Sequence, residues 1–240
     1  MSPEEYSDPL TPVYRESFVE NPKRKRDLRN QDTALLCIDM QYLDAAEGFG
    51  LFKDRENSPI SMEEMEYYFG QLRDVVLPNV HNLQNCFRRH GLEVIHVRIQ
   101  SLTKDGRDRS KGHKRLELHA APGSGDACFL EEVAPVGDEI VINKTASGVF
   151  SSTNIHYVLN NMGISSLYVV GVYTNECVET TVRDACDLGY FVTMVEDCCT
   201  TVTPELQEAS LKTLKDRYAR VINAEQAMTE VERELDEEEV

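Results

Sequence analysis

Short apolar runs alternate along this chain with longer stretches in which apolar residues recur at helical spacing. The runs at 33–39 (TALLCID), 92–98 (LEVIHVR), 138–143 (DEIVIN), 165–172 (SSLYVVGV), 190–196 (YFVTMVE) and 219–222 (ARVI) read as buried strands. Between them, 61–90 carries Val76, Val80, Leu83 and Phe87 at helical spacing and is stopped by Gly91. Further helices are expected over 151–162, capped by Gly163, over 176–188, ended by Gly189, and over 204–217. The charged, glycine-containing stretch 100–125 reads as a long loop. Residues 1–30, with Pro3, Pro9, Pro12 and Pro22, read as an extended arm; 31–229 form one domain and 230–240 an acidic, frayed tail. Strands alternating with helices predict an α/β, three-layer doubly wound fold, a mostly parallel sheet with helices on both faces. In such a fold, functional groups gather at the carboxyl ends of the strands.

Composition narrows the partners. The 240 residues carry a formal charge of −17. A chain this acidic is not expected to bind nucleic acid or an anionic membrane. The basic stretches 23–29 and 104–115 are interleaved with acidic or polar residues and read as solvated loops. No apolar stretch approaches the ~20 residues of a membrane helix, and MSPEEYSDPL lacks the pattern of a signal peptide. A cytoplasmic protein is the expectation. The seven cysteines are an odd number and include no C-x-x-C pair, so reduced thiols are expected.

Three strand ends carry reactive side chains. Asp39 ends the first strand, Lys144 ends EIVINK, and Cys177 follows LYVVGVYTN and opens a helix. Singly, each has an ordinary structural explanation. Together they suit nucleophilic chemistry. The helix start and a nearby lysine favour the thiolate, a carboxylate takes the thiol proton, and free main-chain N–H groups hold an oxyanion. This set fits acyl transfer from a carbonyl carbon, as in amide or ureide hydrolysis.

The segments ALLCIDMQ, VINKTASGVFSST and LYVVGVYTNECVETTVRDACDLGYFVTMVEDCC resemble the isochorismatase-like cysteine hydrolase superfamily over residues 33–226. That group includes N-carbamoylsarcosine amidases, ureidoacrylate amidohydrolases, biuret and triuret hydrolases, and nicotinamidases. The resemblance implies a six-stranded parallel sheet, assembly as a homodimer or homotetramer, and an Asp39–Lys144–Cys177 triad. It also implies a cis peptide bond at Val172–Tyr173 and an oxyanion hole formed by the N–H groups of Tyr173 and Cys177. The expected activity is hydrolysis of a C–N bond in a small amide, carbamoyl or ureido compound, without a cofactor. Vinyl-ether hydrolysis and a catalytically silent scaffold are the alternatives.

The chain departs from the family after DMQ, where Tyr42, Leu43 and Asp44 lead into a long segment reaching Pro59. The nicotinamidase metal site needs an Asp and two His after the second strand. Asp105 and His113 occur there at the wrong spacing, so no metal is expected. Two readings of Gln41 stand: substrate contact, or hydrogen bonding that holds the strand end. Arg98 either grips a substrate carbonyl or carboxylate or forms a surface ion pair. Phe150 either lies beside the substrate or packs in the core.

Overall fold

The computed structural model of the chain describes residues 9–18, 28 and 31–236. Its strands are β1 (Thr33–Ile38), β2 (Glu93–Ile99), β3 (Val141–Lys144), β4 (Ser166–Val172), β5 (Phe191–Thr200) and β6 (Arg220–Ile222). Its α-helices are α1 (Thr11–Phe18), α2 (Tyr42–Ala45), α3 (Met62–Gln71), α4 (Leu77–Arg89), α5 (Lys111–Arg115), α6 (Val149–Ser152), α7 (Ile155–Asn161), α8 (Glu179–Asp187), α9 (Pro204–Leu214) and α10 (Ala224–Asp236). The six strands form one sheet in the order β3-β2-β1-β4-β5-β6, every pair parallel.

The central strands are buried from end to end, which is why TALLCI and SLYVVGV read as continuous apolar runs. Side chains still alternate between the faces with the strand period of two. In β1, Leu35 and Cys37 join the core beneath α3, α4 and α10, with Met65, Val80, Phe87 and Val231. Ala34, Leu36 and Ile38 join the opposite core, with Leu159 of α7, Val182 of α8 and Leu214 of α9. The helices on the first face have local reasons to start where they do. Ser61 and Glu64 form a reciprocal capping box at α3, and a π-helical turn over Leu72–Val76 carries α3 into α4.

The periodicity places the sheet well and the edges less well. β3 begins at Val141 rather than at 138, because its ladder with β2 spans only His96↔Val141 to Ile99↔Lys144. The helix expected over 151–162 is two short helices. Thr153 is extended between them; its hydroxyl donates to the Val149 carbonyl and accepts from the Ile155 N–H. The 100–125 loop contains α5. β5 runs on to Thr200, so Cys198 and Cys199 both lie in the strand. Thr11–Phe18 is helical within the expected arm, and α10 takes up the start of the expected tail. The remainder of the arm, apart from residues 9–10 and 28, and residues 237–240 of the tail lie outside the described residues.

Candidate active site

The sheet order reverses between β1 and β4. Successive strands run outward from β1 on one side and from β4 on the other, so a crevice opens beyond the carboxyl ends of these two strands. Asp39 is the first residue after β1. Its φ of 53° turns the chain out of the strand toward α2, while its N–H remains bonded to the Val97 carbonyl at 2.9 Å. Aspartate tolerates this left-handed conformation better than most residues. Across the crevice, Gly171 of β4 has a φ of 125°, and a Cβ there would collide with the Ile38 carbonyl oxygen. The two central strands approach this closely only because position 171 carries no side chain.

Lys144 arrives from the far edge of the sheet. It ends β3, next to Ile99 in the β2 ladder. Its side chain is fully buried, and its ammonium lies 2.9 Å from Asp39 Oδ2. The same nitrogen donates to Cys177 Sγ at 3.2 Å and to the Ala146 carbonyl at 3.0 Å. An ammonium has three protons, and these three partners account for them. Cys177 is 4% exposed and lies in a π-helical turn, Thr174–Val178, that leads from β4 into α8. The structure therefore brings Asp39, Lys144 and Cys177 into one buried cluster. The Val172–Tyr173 peptide bond that precedes the turn is cis.

Burial controls the protonation of this cluster. It raises the Asp39 carboxyl above its ordinary range, opposed by the charge of Lys144. Burial alone would pull the Lys144 ammonium down, but its acidic neighbours, Asp39 first, outweigh burial and hold the lysine protonated. The Cys177 thiol is the correction. A helix start beside a lysine suggests a lowered thiol, yet burial raises it well above its ordinary value. Lys144 opposes that rise, while Asp39 and Asp44 reinforce it. The resting sulfur is a thiol, so nucleophilic use of it requires a base. The Asp39 carboxyl, buried with the sulfur and hydrogen-bonded to it, is the available acceptor.

The other sequence candidates occupy distinct places. Gln41 is fully buried. Its amide donates to the Ile99 and Asp126 carbonyls at 3.0 and 2.8 Å and accepts from the Ile99 N–H at 2.6 Å, which ties the ends of β1 and β2 together. Arg98 is half-buried, donates to Asn143 Oδ1 and the Ala127 carbonyl at 2.8 Å each, and stacks over Phe129. Phe150 packs with the rings of His156 and Tyr190. Asp105 is exposed and paired with Arg107. His113 on α5 is buried, and its ionisation is pushed down to about 4 by burial and by Lys144 and Arg109. Among the described residues no three His, Cys, Asp or Glu side chains are grouped to hold a metal ion. Sequence reasoning missed Tyr68, whose buried hydroxyl donates to the Asp44 carbonyl at 2.8 Å; within MEEMEYYFG nothing distinguishes it from its neighbour Tyr67.

The sequence profile of the isochorismatase domain matches residues 33–226. Over 220 residues the chain is 32% identical to ureidoacrylate amidohydrolase RutB of Rhizobium rhizogenes, covering 83% of this chain and 84% of that protein. A stretch of 102 residues is 38% identical to the protein of the same name from Agrobacterium fabrum, covering 41% of this chain and 45% of that protein. In three dimensions the chain is similar to a cysteine hydrolase from Pseudomonas syringae pv. phaseolicola. The TM-score is 0.71 at 20% identity, over 88% of this chain and 97% of that one, a likeness of fold.

Proposed function

The chain belongs to the isochorismatase family of hydrolases, and from that premise we propose that it cleaves a C–N bond of a small amide, carbamoyl or ureido compound through an acyl group carried on Cys177. The observation that carries this reading is the single buried ammonium of Lys144, which contacts both the Asp39 carboxylate and the Cys177 sulfur. A relative named ureidoacrylate amidohydrolase supports the choice of bond.

In this mechanism Asp39 accepts the Cys177 proton as the sulfur attacks the substrate carbonyl carbon. The carbonyl electron pair moves onto oxygen, which the N–H groups of Tyr173 and Cys177 receive. Collapse breaks the C–N bond, and Asp39 returns the proton to the departing nitrogen. A water molecule then attacks the thioester or thiocarbamate carbon, gives a proton to Asp39, and leaves the sulfur as leaving group; that proton restores the thiol. Lys144 keeps its proton throughout and holds the carboxylate and the sulfur in register. The upward shift of the Asp39 carboxyl suits this work, since a less acidic carboxyl is the stronger base toward the thiol proton.

A screen of small amides and ureides for ammonia release tests the proposal. Cys177→Ser and Asp39→Asn should fold and lose nearly all turnover. Wild-type turnover in Cys177→Ser would remove the nucleophile assignment. The same reading has the enzyme act in the cytoplasm as a homodimer or homotetramer; a monomer by light scattering at micromolar concentration would contradict the assembly.

A further inference from the structure

Asp44 is a second buried carboxyl group beside the cluster, and the mechanism above does not use it. It is 3% exposed, and its Oδ2 is buried with no hydrogen-bond partner. An unpartnered polar atom in a folded interior costs free energy unless something supplies the missing bond. Its main chain is held firmly. The hydroxyls of Tyr68 and Tyr173 both donate to the Asp44 carbonyl, at 2.8 and 3.0 Å. Tyr173 immediately precedes the turn that carries Cys177, so this clamp fixes α2 against the nucleophile's own loop.

We propose that Asp44 forms the second half of the substrate site: its carboxyl group hydrogen-bonds an uncharged amide or ureido end of the substrate and disfavours a carboxylate there. The inference rests on the reading of Cys177 as the cleavage centre. Burial raises the Asp44 carboxyl well above the ordinary range. The charges acting on it are Asp39, Glu176 and Asp126, which raise it further, and Lys144, which opposes them. Asp44 Oδ2, buried and unpartnered, is the atom left to take up a hydrogen bond from a substrate. The edge of an amide or urea offers an N–H that such an oxygen accepts. A carboxylate offers no N–H and meets three acids against the one ammonium. Arg98, the cation expected to select an anion, has its guanidinium committed to Asn143, Ala127 and Phe129.

The test uses N-carbamoylglycinamide and N-carbamoylglycine. They share the carbamoyl group and differ only in whether the far end is an amide or a carboxylate. Ammonia release gives kcat/KM for each, and protection of Cys177 from iodoacetamide gives binding independently of turnover. Wild type should favour the amide by about tenfold or more, the ratio that the net worth of one hydrogen bond gives. Asp44→Leu should erase that preference, and Asp44→Asn, which keeps an acceptor oxygen, should restore most of it. A wild-type preference for the carboxylate, a preference unchanged in Asp44→Leu, or no protection by the amide would each overturn the inference. Protection by the amide without ammonia release would instead overturn the proposed C–N cleavage and leave the Asp44 subsite standing.

Discussion

Replacing Lys144 with methionine keeps most of the side-chain volume and removes the cation from beside a buried carboxylate, since Asp39 Oδ2 lies 2.9 Å from the ammonium and both side chains are within 1% of full burial. Two routes are open to the orphaned Asp39. If it stays ionised, an uncompensated buried charge costs about 3–5 kcal/mol. If it takes a proton, the cost follows from its ordinary ionisation near about 3.9. Each pH unit above that value costs about 1.4 kcal/mol, hence about 4 kcal/mol at pH 7 and about 1.5 kcal/mol at pH 5. The routes agree in size at neutral pH and differ in slope. The sign is fixed. A carboxyl whose folded pKa lies above its unfolded one is penalised increasingly as pH rises between the two, so acid should rescue the variant. Wild type has a shallower slope over this range, because Lys144 opposes the rise of Asp39. Urea unfolding at pH 5, 6 and 7, at fixed protein concentration, reads both the loss and the slope. A loss at pH 7 below about 1 kcal/mol, as for a solvated ion pair, would refute the reasoning. So would parallel pH profiles for variant and wild type together with a small loss.

Gly171→Ala should destabilise the fold by about 3 kcal/mol or more in the same urea assay, because it strains φ and drives a methyl group into the β1 main chain; a loss under about 1 kcal/mol would show that the strands can part. Gln41→Leu leaves the Ile99 N–H and the Ile99 and Asp126 carbonyls without their partner, and should cost about 3 kcal/mol. If Gln41→Leu kept full stability while KM rose, Gln41 would be a substrate contact and not a strand tie. Turnover should survive dialysis against a chelator, since the thiol, carboxylate and ammonium supply nucleophile, base and charge among themselves; loss of turnover restored by zinc or iron would contradict this.

The central sheet was legible because β1 and β4 are buried on both faces, and burial on both faces leaves an uninterrupted apolar run in the sequence. Asp39, Lys144 and Cys177 were legible for a related reason: in a parallel sheet, strand ends converge, so three reactive groups at three strand ends suggest one site. The edge was less legible. Asp138 to Ile140 run without a break into the apolar residues of the strand, but β2 offers β3 only four ladder positions. The charge state of Cys177 was misjudged because a helix start and a lysine are visible in the sequence, whereas burial and the second carboxyl, Asp44, are properties of the folded site. Gln41 could be read either way from the sequence; only the packed loop at Gly125–Ala127 reveals that its amide spans two strand ends. Asp44 stands in the sequence only as part of the departure after DMQ, and nothing in the chain foretells the two tyrosine hydroxyls that clamp it.

The central claim is that the substrate's acyl or carbamoyl group passes through the sulfur of Cys177. Rapid acid quenching of the enzyme during turnover of a small amide or ureide, followed by peptide mass spectrometry, tests this most directly. The account predicts an added acyl or carbamoyl mass on the peptide containing Cys177, absent when Cys177 is replaced by alanine and accumulating when the second, hydrolytic step is slowed. Turnover at the wild-type rate by Cys177→Ala, or an adduct on any of the other cysteines and none on Cys177, would contradict it.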